Sequence, residues 1–152
     1  MSSASLPGRR PLIALVDRAN RAMQADMVRE AHRRGYTQVK HAHNAVFSTL
    51  GEGGARASDM AVRAGITRQS MGEIVRDLTS LGILATSPDP QDRRAKLITY
   101  TPLGLEIATG GFRHILDLEE RFAHEIGAEH YDRAREALDR VVELLEEPGQ
   151  DQ

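Results

Sequence analysis

The stretch PDPQDRRAK, residues 88–96, sets Arg93, Arg94 and Lys96 beside the carboxylate of Asp92. Side chains of these types recognise anions. Guanidinium and ammonium groups contact phosphate oxygens, and a narrow minor groove attracts arginine through its enhanced negative potential. Asp92 stands two residues before Arg94, where a carboxylate can orient a guanidinium by charge-assisted hydrogen bonds. The β-prone runs ILATS at 83–87 and KLITYT at 96–101 flank the stretch. They predict a hairpin whose eight-residue link, PDPQDRRA, projects as a long basic loop, although two residues suffice to close a hairpin. The plain alternative is a solvated loop in which Asp and Arg neutralise each other.

A second constellation precedes it. Thr67 is a good cap for the helix TRQSMGEIVRDLTSLG, which stops at Gly82. Met71, Ile74, Val75 and Leu78 pack on one side, leaving Arg68, Gln69, Ser70, Glu73 and Arg76 exposed. Arg can bond guanine bidentately, Gln adenine, Glu the cytosine amino group, and Ser a base or a phosphate. Glu73 either reads a cytosine or pairs with Arg76 three residues on. Ser58 is the expected N-cap of a short preceding helix, SDMAVRAG, with Ala61 and Gly65 four apart and Ile66 plugging the core beneath the turn. Two helices around a glycine occur in many folds. A hairpin directly behind them is more specific, because it makes a winged helix-turn-helix.

Other elements must hold this lobe. Residues 11–34 read as a helix from the recurrence of Leu12, Val16, Ala19, Met23 and Met27, with Gly35 as its stop. Thr37 is expected to cap a second helix carrying Val39, Val46 and Leu50, which GEGG at 51–54 breaks. Thr101-Pro102 opens a long helix with Ile107, Phe112, Ile115 and Phe122, and a last helix runs from about Glu129 to Glu147 with Tyr131, Ala134, Leu138, Val141 and Leu145 inward. Gly110 and Gly111, inside the long helix, read either as a flexible joint or as a site of close packing. The fold class is mainly α with a small β-hairpin wing.

Composition narrows the function. The chain has no cysteine, which excludes disulfides, thiol redox sensing and cysteine metal sites. No apolar run approaches the ~20 residues of a membrane span, and MSSASLPGRRPL lacks a signal core, so a cytoplasmic location is expected. Residues 117–152 carry a net charge of −8 and residues 1–116 a net of +6. A basic body with an acidic end suits a protein that meets a polyanion on one side. No G-x-S-x-G elbow, phosphate-cradling glycine loop or H-E-x-x-H motif is present, so no enzymatic activity and no cofactor are expected. The histidines are scattered, and no metal site is assigned.

These residues resemble the MarR family of bacterial transcriptional regulators, from about Leu12 to Leu145. The most specific part is DPQDRRAKLITYTPLG at 89–104, similar to the family's Asp-Pro-x-Asp-Arg-Arg pattern followed by a strand, a Thr and a Gly. TRQSMGEIVRDLTSLGIL resembles the recognition helix and first wing strand. The resemblance implies one domain over 11–147, with dimerisation helices at about 11–34 and 102–147 and a winged helix-turn-helix at about 37–101. Short flexible tails are expected at 1–10 and 148–152. It implies a homodimeric repressor on a palindromic operator in double-stranded DNA, released by a small lipophilic or aromatic ligand. Carried over by residue, Arg94 enters the minor groove, Asp92 holds it, and Arg93 and Lys96 contact phosphates. Ser58, Thr67, Arg68, Gln69, Ser70, Glu73 and Arg76 face the major groove or its walls, with Glu73 a departure from the family pattern. The ligand would lie near Met23, Met27, His41, Val46 and Phe112. A metal-responsive regulator of the same fold and a helical protein-interaction module are the competing readings.

Overall fold

The computed structural model describes residues 8–146, so most of the expected N-terminal tail, all of the C-terminal one, and the end of the last helix at Glu147 lie outside the described residues. In chain order the elements are α1 (Leu12–Arg33), a 3₁₀ turn (His41–His43), α2 (Asn44–Phe47), α3 (Ala57–Ala64), α4 (Arg68–Ser80), β1 (Leu84–Asp89), β2 (Asp92–Tyr100), α5 (Pro102–Ile126) and α6 (Ala128–Glu146). The protein is mostly helical with one antiparallel hairpin. The chain divides after Gly111 into two compact units.

In the first unit, Val46, Met60, Met71, Leu78, Ile83 and Ile98 lie at the centre of a buried apolar cluster. Helix α3 ends on Gly65 in the left-handed region, φ 66°, which a glycine adopts without steric cost. Ile66 then packs against the core, as expected. Thr67 accepts the Ser70 N–H at 3.0 Å and starts α4. At the head of α5, Thr101 Oγ1 accepts the Gly104 N–H at 3.1 Å, the expected cap, and donates to the carbonyls of Gly82 and Ile83.

Three local expectations are corrected. Thr37 caps no helix: it sits in a turn closed by Val39 N–H to Tyr36 O at 3.1 Å, and helix proper begins only at Asn44. Val39 is drawn into the core there, and its carbonyl is held by His32 Nε2 at 2.7 Å, so the chain must stay non-helical until His41. Ser58 is not an N-cap. Ala55 is tied to Ile98 by two backbone hydrogen bonds, and Arg56 is extended, so α3 starts at Ala57 with Ser58 already its second residue.

The third correction concerns the wing. No eight-residue loop exists: Asp89 pairs directly with Asp92, and Pro90-Gln91 alone makes the turn. The pairing shifts between Pro88, which lies opposite Lys96, and Asp89. Arg93, Arg94 and Ala95 therefore form a bulge on β2 with no partners on β1. The tip tightens because Asp89 Oδ1 accepts the Gln91 N–H at 2.9 Å, an Asx turn. Pro88, which cannot donate to a ladder, is tolerated at such a bulge.

Gly104 shows the closest packing of α5. A Cβ there would stand 2.0 Å from the Ile83 carbonyl oxygen. At Gly110 a Cβ would fall on the guanidinium of Arg34, which also lies over the Tyr36 ring at 5.7 Å. The bareness of Gly110 is thus used for packing.

The second unit begins inside α5 and contains α6, with Gly127 turning between the two helices at φ 96°. Phe122 and Tyr131 meet with ring centroids 6.4 Å apart. No residue of α6 is buried within the chain, so Leu138, Val141 and Leu145, expected to point inward, are exposed. In the first unit α1 likewise buries none of its residues.

Candidate nucleic-acid interface

Arg68, Gln69, Ser70, Glu73 and Arg76 are all exposed on α4, while Met71, Val75 and Leu78 of the same helix are buried. The 3.6-residue period explains the division. Thr67 and Ser70 spend part of their bonding capacity on each other, with Thr67 Oγ1 donating to Ser70 Oγ at 2.9 Å. Among the described residues no ion pair joins Glu73 to Arg76, which leaves the Glu73 carboxylate available to an outside donor.

Between α4 and the wing runs a groove of about 530 Å³. Ser58 from α3, Arg76 from α4 and Lys96 from β2 line it, together with Arg56 and an apolar floor that includes Val75 and Ile98. Residues from three separate elements thus meet at one concave surface. Arg93 and Arg94 are exposed on the β2 bulge. Asp92 reaches Arg94 differently from the expectation: its Oδ1 accepts the Arg94 backbone N–H at 3.1 Å. Among the described residues Asp92 makes no ion pair with the guanidinium, so it fixes the main chain of the bulge and leaves the Arg94 head free to project.

Sequence reasoning missed the carboxylate that anchors the wing. Asp89 is buried, and its Oδ2 accepts from Arg56 Nε at 2.7 Å. The Gln91 N–H and the Arg56 guanidinium hold its pKa below the usual carboxylate value. Its signal was in plain view as the first Asp of DPQD, but its partner lies 33 residues upstream. Also missed was Asp77 on the inner side of α4, which accepts from His43 Nε2 at 2.7 Å and Lys40 Nζ at 3.1 Å. His43 foremost, then Lys40, lower its pKa.

Both depressed carboxylates stabilise the fold only while ionised. Their contribution is complete above the unfolded carboxylate value, about pH 4, and is lost as pH falls through their lower folded values. The urea midpoint is therefore expected to drop on acidification below about pH 4. Asp77→Asn and Asp89→Asn, measured by circular dichroism, are expected to flatten that drop. An unchanged acid limb in the double variant would show that these carboxylates do not carry it.

The residues expected near a ligand differ in exposure. Val46 is 0 % exposed in the core of the first unit and offers no surface. His41 and Met23 are exposed, and Met27 Cε packs toward Gly111. Phe112, in the second unit, is exposed. None of the five lines the groove by α4, nor a smaller one of about 190 Å³ walled by Tyr36, Val39, Leu81, Ile83, Leu103 and Ile107. Among the described residues no group of three or more His, Asp or Glu side chains could hold a metal ion, and no helix is long and apolar enough to cross a membrane.

Residues 38–95, which contain α3, α4, β1 and the wing tip, match the model of the MarR family. That segment is similar to the family's winged helix. Solved structures show that the MarR-type fold extends beyond the matched segment. The reduced form of MarR from E. coli superposes with a TM-score of 0.73 at 15 % identity, covering 89 % of this chain and 98 % of that one. MepR of S. aureus, solved as a complex with DNA, gives 0.69 at 16 % identity over 91 % and 100 %. The PcaV transcriptional regulator of Streptomyces coelicolor, solved with its natural ligand, gives 0.67 at 23 % identity over 96 % and 100 %. At these identities the likeness speaks for the fold alone. A comparison with curated proteins gives no sequence match.

Proposed function

We propose that this protein is a cytoplasmic transcriptional regulator, a repressor, which binds a palindromic operator as a homodimer and is released by a small lipophilic or aromatic ligand. The observation that carries the reading is the joint presentation of α3, α4 and wing side chains around one groove, Ser58, Arg76 and Lys96 in turn, with the other exposed α4 residues and the arginine bulge beside it. In this reading Arg68, Gln69, Glu73 and Arg76 address base edges and phosphates of the major groove, with Thr67, Ser70 and Ser58 at its walls. Arg94 reaches the adjacent minor groove, and Arg93 and Lys96 contact phosphates. Asp92 holds the bulge that aims Arg94. MepR in complex with DNA supports the DNA partner, and PcaV with its natural ligand supports an effector. Release follows if the ligand prefers a conformation that misfits the operator.

The dimer has its own support. Leu12, Ile13, Leu15 and Val16 of α1 are exposed, Ile13 by 80 %. So are Leu138, Val142, Leu144 and Leu145 of α6, Leu145 by 81 %. On each helix taken by itself, exposed apolar side chains of this kind mark an association face, and an isologous two-fold contact is the commonest use of such a face. Sedimentation is expected to give the mass of two chains. Val142→Glu with Leu145→Glu is expected to give one chain and to lower affinity for duplex DNA, since each protomer then binds alone. A wild-type monomer that binds a single half-site would contradict the dimeric reading.

A further inference from the structure

His43 is 1 % exposed, and both of its ring nitrogens are engaged. Nδ1 accepts the backbone N–H of Lys40 at 3.0 Å. The Nδ1 lone pair is therefore in use, and in the neutral ring the proton resides on Nε2. Nε2 then donates to Asp77 Oδ2 at 2.7 Å, so the bond runs in a defined direction from the 3₁₀ turn to α4. Asp77 directly follows Arg76 and lies one turn after Glu73, half-buried at the edge of the face on which Glu73 is exposed.

An apolar side chain of similar volume could fill this position with no polar atoms to satisfy. A buried polar group needs its partners, and a network rewards them with a unique arrangement. Apolar packing tolerates small slides and rotations of a helix, whereas a 2.7 Å hydrogen bond does not. Readout of a base edge demands bidentate geometry, and small misplacements lose it.

We propose that His43 is a positioning residue for α4, which through Asp77 sets the rotation at which the helix presents its exposed side chains to DNA. The proposal rests on the DNA-binding reading above. The competing role is local: His43 merely closes the turn on Lys40.

Two isosteres separate the roles, because each keeps one nitrogen's bond. In His43→Gln the amide nitrogen can occupy the Nε2 position and donate to Asp77, while the Lys40 N–H loses its acceptor. In His43→Asn the amide oxygen can occupy the Nδ1 position and keep the Lys40 N–H, while Asp77 loses its 2.7 Å donor and keeps only the exposed Lys40 Nζ at 3.1 Å. The measurement is the ratio of affinities of the full chain for its selected duplex and for a scrambled duplex, with the melting temperature recorded alongside. His43→Gln is expected to keep the ratio within about threefold and His43→Asn to lower it at least about tenfold, within the usual range of specific over non-specific binding. Asp77→Asn, whose amide oxygen still accepts from Nε2, is expected to keep the ratio, and Asp77→Ala to lose it. Nitrogen chemical shifts of the wild-type ring are expected to show the Nε2–H tautomer. An Nδ1–H tautomer, a ratio kept by Asn and lost by Gln, or a ratio indifferent to all four substitutions would overturn the proposal while the DNA reading stands. A wild-type ratio near one would instead overturn the DNA reading, and this proposal with it.

Discussion

Replacing Arg94 with Ala is expected to weaken operator binding by about 1–3 kcal/mol at each half-site while leaving the melting temperature unchanged. The side chain is exposed on the bulge, and only its backbone N–H is tied down, to Asp92 at 3.1 Å. Its removal deprives the folded protein of no buried contact, and the whole loss falls on the complex. Lys96→Ala differs in kind. A phosphate contact carries no sequence information, so binding is expected to weaken evenly across duplexes and the salt dependence to fall by about one ion per site. Fluorescence anisotropy over a salt series reads both effects. An Arg94→Ala protein that retains full affinity would remove the wing from the interface.

Gly104→Ala is the substitution expected to cost the fold most, about 3 kcal/mol or more, at or above the upper end of the overpacking range. The new methyl would stand 2.0 Å from the Ile83 carbonyl oxygen, 3.0 Å from its carbon and 3.1 Å from the Tyr100 ring. Ile83 O cannot simply retreat, because it accepts the Thr101 N–H and the Thr101 hydroxyl, both at 3.1 Å. Moving it unpicks the start of α5. Gly110→Ala is the instructive contrast. Its methyl meets only the far end of the Arg34 side chain, which can swing away, and alanine gains about 1 kcal/mol of helix propensity. Urea unfolding is expected to separate the two variants widely. A Gly104→Ala loss below about 1 kcal/mol would mean that the contact relaxes at little cost.

These two sites also mark how far the sequence could be read. Thr67 at the head of α4 and Thr101-Pro102 at the head of α5 were legible because a cap acts within three residues. The exposed side of α4 was legible because helical period fixes it. The wing was legible as a basic hairpin, but its register was not. The two-residue turn and the bulge depend on Asp89, whose partner Arg56 comes from another element. The start of α3 was misplaced for the same reason, since the Ala55–Ile98 bridge sets it. His43 looked like one histidine among several, because its meaning lies in Asp77, 34 residues away. Periodicity marked the apolar faces of α1 and α6, but it cannot say what covers them, and among the described residues nothing buries them.

The central claim is that α4 and the wing together read DNA sequence. Its most direct test is selection by the purified protein from a pool of random duplexes at moderate salt. The expected result is a two-fold symmetric motif with half-sites about one helical turn, roughly 34 Å, apart, whose enrichment is lost with Arg94→Ala. Recovery of unenriched duplexes, bound only through a salt-sensitive and Arg94-independent attraction, would contradict it.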